Sequence, residues 1–278
     1  MDLTIKNKLD FYREFKDWYL KIVNEFGFNT KRDYEARDYL SSILSKKKNN
    51  YSIEFLLNSF SKMINSQSII LIYGCGPSLE ESVDFLLDNQ LKDFFENSIN
   101  LVADGASVLL KKRNIPIGGI FTDLDGISTK EFNYANFILI HSHGDNIDKL
   151  KYFTNNIINF NNVIGTTQVE PVHNVINPGG FTDGDRILFF LRTLLQSYHK
   201  LFLIGMDFKN IVGKYSKIDI KENKEANPIK RKKLKVAVQL LNWILDRIEN
   251  QVYFVNSNFE SEKFKNITLK EFKNQIDS

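Results

Sequence analysis

The chain holds a single cysteine, Cys75, which excludes an intrachain disulfide and predicts a reducing compartment. Long apolar runs are missing as well. The first residues, MDLTIKNKLDFYREF, contain no stretch of signal-peptide length, and no segment approaches a membrane span. Charge of one sign is scarce: a formal net charge of +3 gives no case for nucleic acid. No GxxxxGK[ST] occurs, so a P-loop is excluded, and no internal repeat is visible. These absences predict a soluble, cytoplasmic protein with neither a nucleic-acid nor a membrane partner, and they leave a homo-oligomer open. What is present is ordinary globular composition, 42% hydrophobic and 26% charged over 278 residues. That suffices for one large α/β domain with a smaller appendage.

The informative pattern is a series of short apolar runs, each ending in small or acidic residues. Ser68–Tyr73 runs into Gly74-Cys75-Gly76-Pro77-Ser78, and Asn100–Ala103 into Asp104-Gly105. Gly118–Phe121 runs into Thr122-Asp123-Leu124-Asp125-Gly126, Phe137–Ile140 into His141-Ser142-His143-Gly144-Asp145, and Leu201–Ile204 into Gly205-Met206-Asp207. Such runs, separated by helical stretches, predict a mainly parallel Rossmann-like α/β sheet with helices on both faces. Ile157–Phe160 and Gln251–Val255 are read as further strands. In a sheet of this kind the ligand lies beyond the carboxyl ends of the strands, near a topological switch point. The clusters should therefore converge on one site, whose carboxylates and Gly-rich turns suit a phosphate ligand carried on a hard metal ion.

Residues 1–66 read differently. Phe11, Phe15, Trp18, Tyr19 and Ile22 recur at helical spacing, Tyr34, Tyr39, Leu40, Ile43 and Leu44 mark a second helix, and Ile53, Leu56, Leu57, Phe60 and Ile64 a third. They predict an N-terminal helical cap on an α/β catalytic domain spanning 67–278. Within that domain, helices are expected over Asp185–Ser197, from about Ile229 to Glu249, and from Thr268, where Glu271 completes a capping box. From Lys209 to Lys235 ten basic residues face three acidic ones, so this segment carries +7 and the rest of the chain −4. It is either a solvated loop or a basic lid over phosphates.

Each motif has a chemical and a purely structural reading. In Gly74–Glu81, glycines let backbone approach a ligand, and Ser78 with Glu81 forms a capping box at a helix N-terminus that attracts anions; the alternative is a tight turn. The third glycine of a dinucleotide fingerprint is absent. Cys75 reads as a small buried filler, since no histidine lies near it in sequence. Asp104, Asp123 and Asp125 at strand ends can approach one Mg²⁺, or stand in Asx turns. His141-Ser142-His143-Gly144-Asp145 matches the HxHxD run of binuclear zinc hydrolases of the metallo-β-lactamase type, but Asn146 stands where those carry a further histidine. The alternative puts His143 and Asp145 beside phosphate or metal and leaves His141 to packing. Gly179–Arg186 precedes an amphipathic helix that Thr182 or Asp183 can cap, with Arg186 able to clamp a phosphate.

Taken in order, GxGPSLEE, ADGA, TDLDG, HSHGDN, GFTDGDR and GMDF…GKYS resemble the 6-hydroxymethyl-7,8-dihydropterin pyrophosphokinase family of the MptE type, over roughly residues 66–217. The family is similar in turn to thiamin pyrophosphokinase catalytic domains, whose ADGG and GDxDS motifs resemble Ala103–Ala106 and Thr122–Gly126, Thr122 replacing a glycine. The resemblance implies transfer of diphosphate from ATP to a reduced pterin, releasing AMP, in folate or tetrahydromethanopterin-type cofactor biosynthesis. It implies Mg²⁺ on Asp104, Asp123 and Asp125, with Asp145 a further ligand and His143 beside them. Phosphate contacts are expected from Gly74, Gly76, Pro77, Ser78, Arg186 and Lys214. The pterin is expected at Gly180, Thr182, Asp183 and Asp185, a carboxylate suiting its donor–donor edge. Rival readings are a nucleotide-sugar glycosyltransferase related to flagellin-glycosylation proteins, the zinc hydrolase, and a nucleotide-binding module without catalysis.

Overall fold

The computed structural model describes residues 4–47, 51–257, 259, 261 and 263–276. Eleven strands follow one another: β1 Ile69–Tyr73, β2 Ile99–Ala103, β3 Ile117–Thr122, β4 Ala135–Ser142, β5 Val163–Thr167, β6 Val175–Ile176, β7 Lys200–Ile204, β8 Ile211–Val212, β9 Lys224–Glu225, β10 Gln251–Val255 and β11 Lys265–Ile267. Nine form one parallel sheet in the order β11-β10-β7-β1-β2-β3-β4-β5-β6. The expected parallel α/β architecture is the one observed. The chain builds outward from β1 to β6, then crosses back to place β7 on the other side of β1. The switch point therefore lies between the ends of β1 and β7.

Both faces of the sheet are covered, as its continuous apolar strands require. Along β1, Ile70 and Ile72 enter one core while Leu71 and Tyr73 enter the other, the alternation of a strand. The N-terminal helices contribute to both. Tyr12–Phe26 and Ile53–Ile64 bury Phe15, Tyr19, Leu57 and Phe60 in the first core, whereas Thr30–Leu44 buries Ala36, Leu40, Ile43 and Leu44 in the second. Phe60 alone sets its ring against Phe121, Phe137 and Phe190 at 5.2–6.3 Å, edge to face.

Three local expectations need correction. Ile157–Phe160 is not a strand: Thr154–Asn159 is helical, because Leu150, Phe153 and Ile157 recur at helical spacing toward the core, and the β-branched run Val163–Thr167 supplies the strand. The helix after the Gly-rich turn ends at Leu191, not Ser197, giving way to turns before β7. The long helix is Pro228–Leu245, started by Asn227, whose side chain accepts from Lys230 N, with proline in its first turn. Before it, the basic segment pairs β8 with β9 in a small antiparallel hairpin. The Thr268–Glu271 capping box forms as expected, Thr268 N donating to Glu271 Oε2 at 2.7 Å and Glu271 N to Thr268 Oγ1 at 3.2 Å. No helix among the described residues is long and apolar enough to cross a membrane.

Candidate active site

The strand ends converge. One carboxylate oxygen each from Asp104, Asp123 and Asp183 lies within 4.8 Å of the others. Asp104 follows β2 with a left-handed φ of 42°, a conformation aspartate tolerates better than most residues. Its N–H donates to Phe121 O at 2.7 Å, and its Oδ1 accepts from Thr122 Oγ1 at 2.6 Å. A Cβ at Gly126 would fall 2.3 Å from Asp104 Oδ2, so this glycine leaves the carboxylate its place. Asp123 and Asp125 stand one residue apart, but Leu124 between them has a φ of 73° and turns the chain. Asp123 joins the cluster. Asp125 meets Lys217 at 3.3 Å and Lys149 at 3.7 Å instead. Asp183 opens the helix Asp183–Leu191 and accepts from Arg186 Nη1 at 3.1 Å.

The electrostatics follow from burial and crowding. Burial, then the charges of Asp123 and Asp183, push Asp104 well above the usual carboxylate range. Burial and Asp123 raise Asp183 to about 7, against the pull of Arg186. Burial also opposes the charge on Asp123, but the imidazole of His143 overrides it and holds Asp123 low. His143 Nδ1 accepts from Asp145 N at 3.4 Å, which leaves Nε2 to carry the proton 3.6 Å from Asp123 Oδ2. Three carboxylates this close are mutually repulsive when ionised, and a hard divalent cation removes that cost. The donor set fits Mg²⁺: all oxygen, and with too few protein ligands to fill an octahedron without water or phosphate.

Two cavities meet at this cluster. The first is lined by Asp123, His143, Asp145, Gln168, Phe181 and Arg186, together with Lys230 and Lys233. Phe28, Asn29, Arg32 and Asp33 of the N-terminal helices close it. The second lies at the switch point, lined by Gly74, Cys75, Gly76, Asp104, Gly205 and Asp207, with Met206, Ile211, Val212 and Leu234 as apolar walls. Thr182, Asp183 and Lys230 line both.

Nine of the fifteen residues expected to touch ligand or metal thus line one cavity or the other: Gly74, Gly76, Asp104, Asp123, His143, Asp145, Thr182, Asp183 and Arg186. The others do not. Ser78 makes no capping box with Glu81. It holds the N-cap position before the helix Leu79–Asp88 with αR dihedrals, and its N–H and Oγ both donate to Asp207 Oδ2, at 2.9 and 2.7 Å. Asp185 is buried in the capping box with Thr182, accepting from Phe181 N at 2.6 Å and Thr182 Oγ1 at 2.7 Å, and so does not face a ligand. Gly180 adopts a φ of 88° against Arg186, Pro77 lines neither cavity, and Lys214 pairs with Glu80 beside Tyr215. Cys75, read as a buried filler, is half-buried and lines the second cavity; its Sγ donates to Ala103 O, and burial pushes the thiol far up. His141 packs in the interior with Nδ1 3.1 Å from Thr166 Oγ1, and Asn146 donates to the carbonyls of Asp123 and His141. Among the described residues the carboxylate cluster itself includes no histidine, although His143 stands 3.6 Å from Asp123.

Sequence reasoning missed Phe28, Arg32 and Asp33, and gave no individual role to Asp207 after β7 or to Lys230 and Lys233 of the basic segment. Asp33 is a structural anchor, accepting from Gly144 N at 2.7 Å and Tyr19 OH at 2.8 Å, so it ties the N-terminal helices to the end of β4. It lies in the first turn of the helix Thr30–Leu44, where an aspartate reads as an ordinary helix-start charge, so the sequence carried no separate signal for it.

Residues 41–213 match the family described as 6-hydroxymethylpterin diphosphokinase, MptE-like, well over half of the chain and including all three clustered carboxylates. The chain belongs to this family. It is similar to proteins named 6-hydroxymethyl-7,8-dihydropterin pyrophosphokinase: 36% identical over 235 residues to one from Pyrococcus furiosus, covering 84% of this chain and 94% of the relative. One from Methanocaldococcus jannaschii is 35% identical over 250 residues, with 85% and 97% covered, and one from Methanothermobacter thermautotrophicus 32% over 232 residues, with 82% and 92% covered. The MptE-like match ends before Lys230 and Lys233 and begins after Arg32, so part of the first cavity lies outside it.

Proposed function

We propose that the protein transfers the terminal diphosphate of ATP to the hydroxymethyl group of 6-hydroxymethyl-7,8-dihydropterin, in a Mg²⁺-dependent reaction that releases AMP. The observation that carries this reading is the carboxylate cluster of Asp104, Asp123 and Asp183, which lies where two cavities meet at Asp183 and so leaves room for two ligands. The names of the relatives supply the substrates. The acceptor oxygen attacks the β-phosphorus while the bond to the AMP oxygen breaks in line, so positioning and charge neutralisation are needed and a protein nucleophile is not. Asp104, Asp123 and Asp183 would hold the ion, which supplies neutralisation of phosphate charge. Arg186 and Lys230 face the same junction and add positive charge there, and His143 keeps Asp123 ionised. The product would feed a folate or tetrahydromethanopterin-type cofactor.

The test is purified protein with Mg·ATP and the pterin, products separated by chromatography. Equal amounts of AMP and pterin diphosphate, lost on chelation, are expected. ADP, or unconsumed ATP, would exclude the reading.

A further inference from the structure

The two cavities are of similar volume, about 140 and 130 Å³, so size does not distinguish them. Charge does. The first sets four cations, Arg32, Arg186, Lys230 and Lys233, against four carboxylates, Asp33, Asp123, Asp145 and Asp183, and among the described residues the Arg32 and Lys230 side chains form no ion pair. With a divalent ion on Asp123 and Asp183 the balance turns positive and suits a polyanion. The second holds Asp104, Asp183 and Asp207 against Lys230 alone, between apolar walls, and stays acidic until an ion binds. A polyphosphate is better matched by the first. The Gly74–Ser78 turn, moreover, has its anion position filled by the protein itself: Asp207 Oδ2 accepts from Ser78 N and Oγ, and a Cβ at Gly76 would fall 2.3 Å from that oxygen. Among the described residues Asp207 Oδ1 accepts no hydrogen bond, and its side chain lines the cavity.

Resting on the pyrophosphokinase reading, we infer that the switch-point cavity takes the neutral heterocycle of the acceptor, with Asp207 Oδ1 accepting from its 2-amino-4-oxo-pyrimidine edge, while the donor's polyphosphate lies in the cavity that holds Arg32, Arg186 and Lys233. A carboxylate oxygen matches that edge, whose N2 and N3 both donate. Adenine presents a donor beside an acceptor, and its N1 lone pair would face the carboxylate. The two ligands then meet where Thr182, Asp183 and Lys230 line both cavities, the position the transfer demands. Asp207 is on this account the residue that selects the acceptor.

The test uses the full chain and steady-state kinetics on the wild type, Asp207→Asn and Arg32→Ala, with ATP and two acceptors: 6-hydroxymethyl-7,8-dihydropterin and its analogue bearing an oxo group at position 2. Turnover of the pterin by the wild type checks the parent reading separately; its absence would remove that reading and this one together. Asp207→Asn keeps an oxygen for Ser78 but places an amide toward the ring. It should raise the KM for the pterin on the order of 10- to 100-fold, the scale of one hydrogen bond to a charged group, leave the KM for ATP unchanged, and narrow the preference for pterin over the oxo analogue. A merely structural role would not move that preference. Arg32→Ala, an exposed side chain whose loss spares the fold, should raise the KM for ATP alone. An unchanged acceptor preference in Asp207→Asn would overturn the inference. If that variant does not fold, a rise in the pterin KM rather than the ATP KM in Arg32→Ala would do so.

Discussion

Asp183 shares the carboxylate cluster with Asp123, although sixty residues separate them in sequence and Asp125, two residues from Asp123, stays outside it. The substitution pattern should follow the cluster and not the DxD spacing. Asp123→Asn and Asp183→Asn should each lower kcat/KM by at least about 100-fold, the scale of losing one charge-stabilising group. Asp125→Asn should keep activity within about tenfold, because it loses only half-exposed pairs with Lys217 and Lys149. Equal loss in all three would contradict the arrangement.

Gly126→Ala should act on the same cluster from behind. Its Cβ would overlap Asp104 Oδ2 and lie 2.8 Å from Gly105 N, neither of which is the far end of a flexible side chain. Divalent-ion affinity, followed by calorimetric titration, should fall further than thermal stability does.

Stability without metal should decline as pH rises through the neutral range. Asp183 is raised to about 7 from 3.8, and Asp104 is raised as well. Between those values the unfolded chain has lost protons that the folded chain retains, so the stabilisation present at low pH drains away toward the folded pKa. Asp123, held low by His143, is ionised in both states across this window and adds no slope. In a chelator, Tm at about pH 8 should therefore lie below Tm at about pH 5, and added Mg²⁺ should restore more at the higher pH. A Mg²⁺ effect independent of pH would count against the cluster as its site.

Phe60→Ala should cost about 3–5 kcal/mol, the range for deleting a fully buried aromatic ring. Because Phe60 lies on an N-terminal helix and packs on β3 and β4, denaturant unfolding should remain a single transition. A separate early transition for the N-terminal helices would show that they fold apart from the sheet.

The sheet was legible in the sequence because each strand is an apolar run with a sharp polar end, and the carboxylates at those ends mark the site. Asp104 and Asp123 follow from that rule. Ile157–Phe160 looked like a strand because four apolar or amide residues carry too little periodicity to separate helix from strand. Asp125 was grouped with Asp123 by spacing, whereas the positive φ of Leu124 divides them. Ser78 looked like a helix cap, and only tertiary structure brings Asp207 to its hydroxyl. Arg32 lies well before the first strand, and Lys230 and Lys233 fall in a charge run that reads equally well as a solvated face.

The first cavity draws on Phe28 near one end of the chain and Lys233 near the other, with the sheet between them. That site is therefore assembled by folding from segments far apart in sequence, and no contiguous stretch of the chain carries it by itself.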